Sequence, residues 1–172
     1  MPDAIPALRP PQLGKDILAE SPAYDLIDLL FFAYRDFVSD PDRILDEYDF
    51  GRAHHRVMHF VDRQPGLTIA ELLDILRITK QSLNRVLKEL IEKGFIESRT
   101  GTSDRRQRLL YATQQGHDLA VKLAHLQTRR IMRALAELEP TSKDHVSRYL
   151  LRLIDPDDRA HVERLVFGAK KS

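Results

Sequence analysis

Apolar residues recur along most of this chain at the three- and four-residue spacing of α-helices. Four prolines within the first eleven residues instead predict a flexible arm over residues 1–20. Two short segments, residues 95–99 and 107–112, predict strands on either side of a turn-rich Thr-Gly-Thr-Ser-Asp sequence. The predicted helices cover residues 22–38, 49–63, 69–76, 80–93, 114–138, 140–155 and 157–167.

The helix predicted over residues 22–38 is apolar around most of its circumference, and a helix of this kind must be buried on several sides. Asp40-Pro41 is expected to end it. The apolar helices after residue 114 also need a partner surface, and a symmetric homodimer is the commonest way to provide one. The apolar residues of the first helix are Leu26, Ile27, Leu29, Leu30, Phe31, Phe32, Tyr34 and Phe37.

Residues 68–113 carry the signals of two short helices followed directly by a hairpin. Thr68, with Glu71 three positions later, is a capping-box pattern. Thr79 can cap the next helix, and Gly94 can end it. The order of helix, short connection, amphipathic helix and two-stranded hairpin predicts a winged helix-turn-helix.

The outer face of the second of these helices carries residue types that can bind DNA. Arginine, asparagine and glutamine have donors and acceptors that match guanine or adenine in the major groove. Arginines at the hairpin tip can enter a narrow minor groove. An ordinary solvated face is the alternative for the helix taken alone. The predicted DNA-binding residues are Thr79, Lys80, Gln81, Ser82, Asn84, Arg85, Lys88, Arg99, Arg105 and Arg106.

The net charge of +1 over 172 residues conceals an uneven distribution. Residues 79–108 contain eight basic and four acidic residues, whereas residues 1–67 contain seven basic and twelve acidic ones. The basic segment coincides with the predicted DNA-binding unit, where it can attract phosphates.

The composition also excludes several classes of function. The chain contains no cysteine, which removes disulfides, thiolate zinc sites and cysteine nucleophiles. The most apolar run, residues 29–34, is too short to span a membrane, and the first residues show no export signal. We therefore expect a cytoplasmic protein that does not bind membranes.

The sequence resembles the multiple-antibiotic-resistance regulators, the MarR family. The most specific likeness is the wing pattern of Asp104, any residue, Arg106 and then Thr113 seven positions later. Together with the long flanking helices, the resemblance covers residues 24–154. The other matching motifs are LTIAEL at residues 67–72, LNRVLKEL at 83–90, KGFI at 93–96, and Gly116.

This resemblance implies a mainly α fold with a small β-hairpin wing, in which a winged helix-turn-helix is flanked by N- and C-terminal dimerisation helices. It implies a homodimer that reads a palindrome on double-stranded DNA, as a repressor or an activator, and a possible small aromatic or anionic effector. It also implies that Asp104 holds the wing together with Arg106. We expect no cofactor and no catalytic residue. The corresponding segments are an arm (1–20), a dimerisation helix and connection (21–48), the DNA-binding domain (49–113) and C-terminal dimerisation helices (114–172).

His55 and His59 lie four residues apart on one predicted helix, a spacing that metal ligands use. No glutamate follows His55 and no second cluster of ligands accompanies the pair, so a metal-dependent enzyme has less support than a regulator. A winged-helix module that binds proteins instead of DNA is a further alternative. We expect both histidines to line an effector pocket where the 49–63 helix meets the first and the long C-terminal helices. The alternative is that they are merely exposed or hydrogen-bonded.

Overall fold

The computed structural model describes residues 22–101 and 105–168, with one unit up to Arg35 and another from Asp36 onward. None of the helices within these ranges has the length and hydropathy that a bilayer crossing requires. The predicted mainly α fold with a small wing is confirmed. The elements are α1 (Tyr24–Leu45), a 3₁₀ turn (Asp46–Tyr48), α2 (Arg52–Arg63), β1 (Leu67–Thr68), α3 (Ile69–Leu76), α4 (Lys80–Glu92), β2 (Ile96–Thr100), β3 (Arg108–Ala112), α5 (Gln114–Ala136), α6 (Ser142–Leu153) and α7 (Pro156–Phe167).

Helix α1 does not end at Asp40-Pro41, as the sequence predicted, but continues through Pro41 to Leu45. A proline inside a helix removes one backbone hydrogen bond and crowds the preceding turn, at a cost of about 3 kcal/mol. Pro41 and Leu45 are both almost completely buried, and the burial of their apolar surface offsets that cost. After the 3₁₀ turn, Asp49 adopts a left-handed conformation with φ of 57°.

Helix α2 begins at Arg52, three residues later than the sequence predicted. Gly51 precedes it in an extended conformation, and its N–H donates to Nδ1 of His54 at 3.1 Å. The His54 ring also stacks on Phe50, with 4.7 Å between the ring centroids. The side chain of His54 therefore fixes the start of the helix.

The wing belongs to a three-stranded antiparallel sheet, not to the two-stranded hairpin that the sequence predicted. Leu67 of β1 pairs with Leu110 of β3, and Ile96 of β2 pairs with Ala112 of β3. A strand of two residues has too few positions to show an alternating pattern, which is why the sequence did not reveal β1. The two predicted strands are present, within one residue of their expected ends.

The apolar spacing predicts that Ile69, Leu72, Leu73 and Leu76 of α3 and Leu83, Val86, Leu87, Leu90 and Ile91 of α4 face inward. These residues form much of the core beneath the sheet, with the exception of Ile91, which is 41% exposed. At about 100° per residue, Ile91 points roughly 80° away from Leu83, which places it at the edge of the stripe. The buried residues of the two helices are Leu72, Leu76, Leu83, Val86, Leu87 and Leu90.

Helix α5 begins where the hairpin returns beside the start of β2. The hydroxyl of Thr113 accepts the N–H of Gly116 at 3.1 Å and donates to the carbonyl oxygen of Gly94 at 2.6 Å. A β-carbon on Gly116 would lie 2.0 Å from the backbone oxygen of Phe95. Only glycine permits this approach, so direct backbone contact sets the junction between the wing and α5.

Apolar side chains remain exposed on helices in both units. In the first unit, the part of α1 up to Tyr34 has nearly all of its large apolar residues exposed, although the sequence predicted burial on several sides. In the second unit, α5 and α6 also expose apolar residues. These side chains are Tyr24, Leu26, Ile27, Leu29, Leu30, Phe31, Phe32 and Tyr34 in α1, Ile131 and Met132 in α5, and Val146, Tyr149, Leu150 and Leu153 in α6.

Candidate nucleic-acid interface

Helix α3 is closed at both ends by local backbone geometry that directs the chain into α4. At its start, Oγ1 of Thr68 accepts the N–H of Glu71 at 3.2 Å, and Oε2 of Glu71 accepts the N–H of Thr68 at 2.8 Å. The bonds from Thr68 lower the pKa of the Glu71 carboxyl. At its end, Arg77 takes the left-handed conformation with φ of 49°. The predicted capping box is thus confirmed.

The first turn of α4 is fixed by Thr79 and Ser82, two of the predicted DNA-binding residues. Oγ1 of Thr79 accepts the N–H of Ser82 at 3.1 Å and donates to the hydroxyl oxygen of Ser82 at 2.9 Å. The Thr79 hydroxyl is therefore engaged in capping, whereas the Ser82 hydroxyl can still donate a hydrogen bond. Both residues position the helix that carries the other candidates.

The five remaining candidates on α4 form one exposed row away from the buried stripe. The ammonium group of Lys88 lies 3.8 Å from a carboxylate oxygen of Glu92, and both side chains are mostly exposed. Such an ion pair contributes little to stability and can give way to another anion. The row consists of Lys80, Gln81, Asn84, Arg85 and Lys88.

The arginines of the wing lie in two different environments. Arg105 and Arg106 are exposed in the turn between β2 and β3. The guanidinium carbon of Arg99 lies 4.4 Å from the centroid of the Tyr111 ring, and Arg99 also forms an ion pair with Glu97. Arg99 therefore has partners within its own sheet, which a phosphate would have to replace.

A residue that the sequence analysis missed, His54, connects α2 to α4. Its Nε2 lies 2.8 Å from Oε2 of Glu89, and its Nδ1 accepts the N–H of Gly51. Because Nδ1 is an acceptor, the proton lies on Nε2 and is donated to the carboxylate. The pairing depends on how α2 packs against α4, and no local sequence pattern predicts it.

The fold of this chain is shared by known transcription regulators. Residues 48–107 match the MarR family. The chain is 46% identical over 139 residues to the HTH-type transcriptional regulator PetP of Rhodobacter capsulatus, covering 81% of this chain and 84% of the relative. The chain belongs to the MarR family. It is a DNA-binding transcription regulator and not an enzyme. Asp104, the predicted wing-structuring residue, falls within the match but outside the residues that the structure describes.

Solved structures share the fold of this MarR-family regulator at low sequence identity. FabT of Streptococcus pneumoniae in complex with DNA superimposes with a TM-score of 0.68 at 16% identity, over 77% of this chain and 94% of that one. The Mycobacterium tuberculosis MarR family protein Rv2887 in complex with p-aminosalicylic acid gives a TM-score of 0.55 at 23% identity, over 77% and 98%. Likeness at this level shows the fold alone.

A cavity of about 460 Å³ lies where α2, α5 and Phe37 of α1 meet. His59 lines it, but His55 does not, so the structure brings only one of the two candidate histidines to the cavity. Burial and then the charge of Arg63 lower the pKa of His59, which keeps its ring neutral near pH 7. The other lining residues are Asp62, Arg63, Ala120, Val121, Ala124, Gln127, Thr128 and Ile131.

One acidic group of this cavity is already paired. Oδ1 of Asp62 lies 2.7 Å from Nδ1 of His117 at the start of α5, and this contact raises the pKa of His117. Within the described ranges, no three His, Asp or Glu side chains converge in a way that could hold a metal ion.

We expect His55 to make the stability of the folded protein depend on pH. Burial, with the nearby His59, lowers its pKa to about 4, and Asp42 opposes this shift. As the pH falls through about 6.5, His55 takes up a proton in the unfolded chain but not in the folded chain. The free energy of unfolding is therefore highest above pH 6.5 and decreases as the pH falls towards 4. After a discount for partial exposure, we expect a loss of about 1–2 kcal/mol, measured by urea unfolding.

The variant His55→Gln should flatten this part of the profile, because it removes the histidine whose pKa burial lowers to about 4. Parallel curves for the parent and His55→Gln would show that His55 binds protons equally in the folded and unfolded states.

Proposed function

We propose that this regulator binds a palindromic DNA site as a homodimer, with α4 of each subunit in the major groove. The exposed row on α4 carries this proposal, because it presents amide and guanidinium groups from a helix whose opposite face is anchored in the core. FabT, which shares the fold, is described in complex with DNA. The absence of cysteine fits a reducing compartment, and we propose a cytoplasmic location.

The experiment that tests this function begins with genomic DNA enriched on the purified protein and sequenced. Footprinting of the recovered fragments should show two protected half-sites in inverted orientation, about one helical turn or roughly 34–36 Å apart. Protection of a single asymmetric half-site would contradict the dimeric arrangement.

The exposed apolar residues of α5 and α6, and separately those of α1, support the homodimer. Contiguous apolar patches on a soluble protein usually mark an interaction surface. We expect light scattering at micromolar concentration to give twice the 19.9 kDa mass of one chain.

A charge in the apolar face of α6 should disturb this association. Leu150, which is 51% exposed, is a suitable position, and Leu150→Glu should shift the protein towards monomers because burying a carboxylate is costly. Arg148→Glu introduces the same carboxylate at an exposed position about 160° around the same helix from Leu150 and should leave the dimer intact. If the parent protein scatters as a single chain, the homodimer proposal fails.

We further propose that the cavity between α2 and α5 binds a small aromatic anion that changes DNA affinity. Arg63 supplies a cation, neutral His59 supplies a donor and an acceptor, and Phe37 supplies an aromatic wall. Rv2887, which shares the fold, is described with p-aminosalicylic acid. An effector of this kind works only if it prefers one spacing of the two recognition helices over another.

Titration with p-aminosalicylic acid provides the probe for this cavity. We expect Arg63→Gln to weaken its binding about tenfold or more, since a hydrogen bond between charged groups is lost. His59→Ala should also weaken binding, whereas His55→Ala should have no effect because His55 does not line the cavity. Unchanged affinity in both the Arg63 and the His59 variant would place any effector site elsewhere.

A module that binds proteins instead of DNA, the alternative that the fold leaves open, is disfavoured by the membership of this chain in the MarR family. The two are separated by a duplex shift assay at several salt concentrations. A DNA-binding protein loses affinity steeply with salt as counterions are released, whereas an interaction module should not shift the duplex at any salt concentration.

A further inference from the structure

Helix α7 contacts the turn that immediately precedes the recognition helix α4. The guanidinium of Arg77, in that turn, donates to Oδ1 of Asp158 in the first turn of α7 at 2.5 Å. The two residues are 81 positions apart in the sequence, and Arg77 lies three positions before Lys80. An acidic group from the C-terminal end of the chain is therefore held against the entrance to the proposed DNA-binding face.

Apart from this ion pair, α7 does not pack closely against α2 and α3. A cleft of about 240 Å³ stays open between the helices, lined by Phe60 and Ile75 on one side and Val162 and Leu165 on the other. Close packing is what makes helix contacts strong, and contacts across an open cleft are lost at little cost. The docking of α7 is therefore weak enough to be reversible.

A second polar contact in this region is also loose. Nε2 of His161 lies 3.7 Å from Oδ2 of Asp74 on α3 and makes no hydrogen bond there, although the atom is buried. The close pair between Arg77 and Asp158 is thus the strongest polar link of α7 to the helix-turn-helix.

The chemistry of this link resembles that of a DNA contact. Arginine binds carboxylates and phosphates with the same donor geometry. The start of α7 adds Asp155 and Asp157 to Asp158, and such a group of negative charges repels a phosphate backbone. Asp158 therefore binds a guanidinium group beside the start of α4 whose donors also suit a phosphate.

We propose that α7 is an autoinhibitory element, in which Asp158 holds Arg77 until DNA displaces it and Arg77 binds a phosphate instead. The proposal rests on the DNA-binding face given above. It assigns a role to the C-terminal helix, which lies beyond residue 154, where the sequence resemblance ends.

Asp158→Asn tests the proposal, because it removes the charge that competes with phosphate and leaves the size of the side chain unchanged. The probe is a random-sequence duplex long enough for two half-sites, so that no operator needs to be known. We expect Asp158→Asn to bind it about two- to fivefold more tightly, the range that release of one exposed ion pair allows. The dependence of log affinity on log salt should stay near that of the parent, because Arg77 contacts a phosphate in the DNA-bound state of both proteins.

Two controls separate this effect from general electrostatics and from folding. Asp157→Asn removes the same charge from the next position of α7 but leaves the Arg77 contact in place, so it should change affinity less. In an Arg77→Gln background, Asp158→Asn should bring no more gain than Asp157→Asn does, because the arginine that it releases is absent. A gain in that background as large as the gain in the parent would overturn the proposal.

Two further outcomes distinguish a failure of the proposed DNA-binding function from a failure of the autoinhibition by α7. If the parent protein shows no salt-dependent duplex binding, the DNA-binding function itself fails. If the parent binds but Asp158→Asn binds equally or more weakly, α7 only stabilises the fold. The autoinhibition proposal then fails, while the DNA-binding function stands. Urea unfolding of each variant shows whether a lower affinity reflects lost stability.

Discussion

Arg85→Ala is expected to weaken binding to the operator by about 1–3 kcal/mol and to relax the base preference at one position of each half-site. Arg85 is exposed on the outer face of α4, while its neighbour Val86 is buried in the core. The arginine therefore projects from a rigid helix, where a bidentate contact with guanine loses little side-chain entropy. Fluorescence anisotropy with the recovered operator and with single-base variants of it would measure both effects.

Arg85→Lys is the matched variant, because it keeps the positive charge and removes the paired donors. Its affinity for random duplex should stay near that of the parent, while its preference for the operator should fall. Arg106→Ala, in the exposed wing turn, should instead weaken binding to all duplexes evenly and reduce the salt dependence. If Arg85→Ala and Arg106→Ala both bound the operator like the parent, the DNA-binding face would lie elsewhere on the protein.

Gly116→Ala is expected to destabilise the protein by about 1–3 kcal/mol, the range seen when a packed site must accept an extra methyl group. The added β-carbon would meet the backbone oxygen of Phe95 at 2.0 Å, and backbone cannot rotate away as a flexible side chain can. Alanine normally stabilises a helix relative to glycine by roughly 0.5–1 kcal/mol, so a loss of stability would identify the close contact as its cause. Thermal or urea unfolding would measure it.

Gly51→Ala makes the same chemical change at a glycine with nothing within 4 Å of the new β-carbon. Gly51 caps α2, and its replacement should cost less than about 1 kcal/mol, the usual effect of a cap residue of this kind. Because Gly116 fixes the direction of α5 relative to the wing, Gly116→Ala should also reduce operator affinity at temperatures where the protein is still folded. Equal stability of the two variants would mean that α5 can move away from β2 without cost.

Local sequence patterns predict the structure of residues 68–92 closely. The capping box of Thr68 and Glu71, the Thr79 cap and the apolar stripe of α4 are all set by residues within one or two helical turns of each other. Hydrogen bonds and side-chain periodicity over such short distances can be predicted from neighbouring residues in the sequence. The helix-turn-helix was therefore predicted almost to the residue, and with it the exposed row on α4.

The sequence by itself determined the class of the protein, the order of its helices and the polar face of α4, because these depend on spacing within single elements. Tertiary structure alone decided that α1 continues through Pro41, that Leu67 pairs with Leu110, and that His54 reaches Glu89. It also decided that His59, and not His55, lines a cavity, and that α7 brings Asp158 to Arg77. Each of these features depends on contacts between residues far apart in the chain, or on burial that outweighs a local conformational preference. No local pattern records such contacts, because their energies exist only once distant segments have packed together.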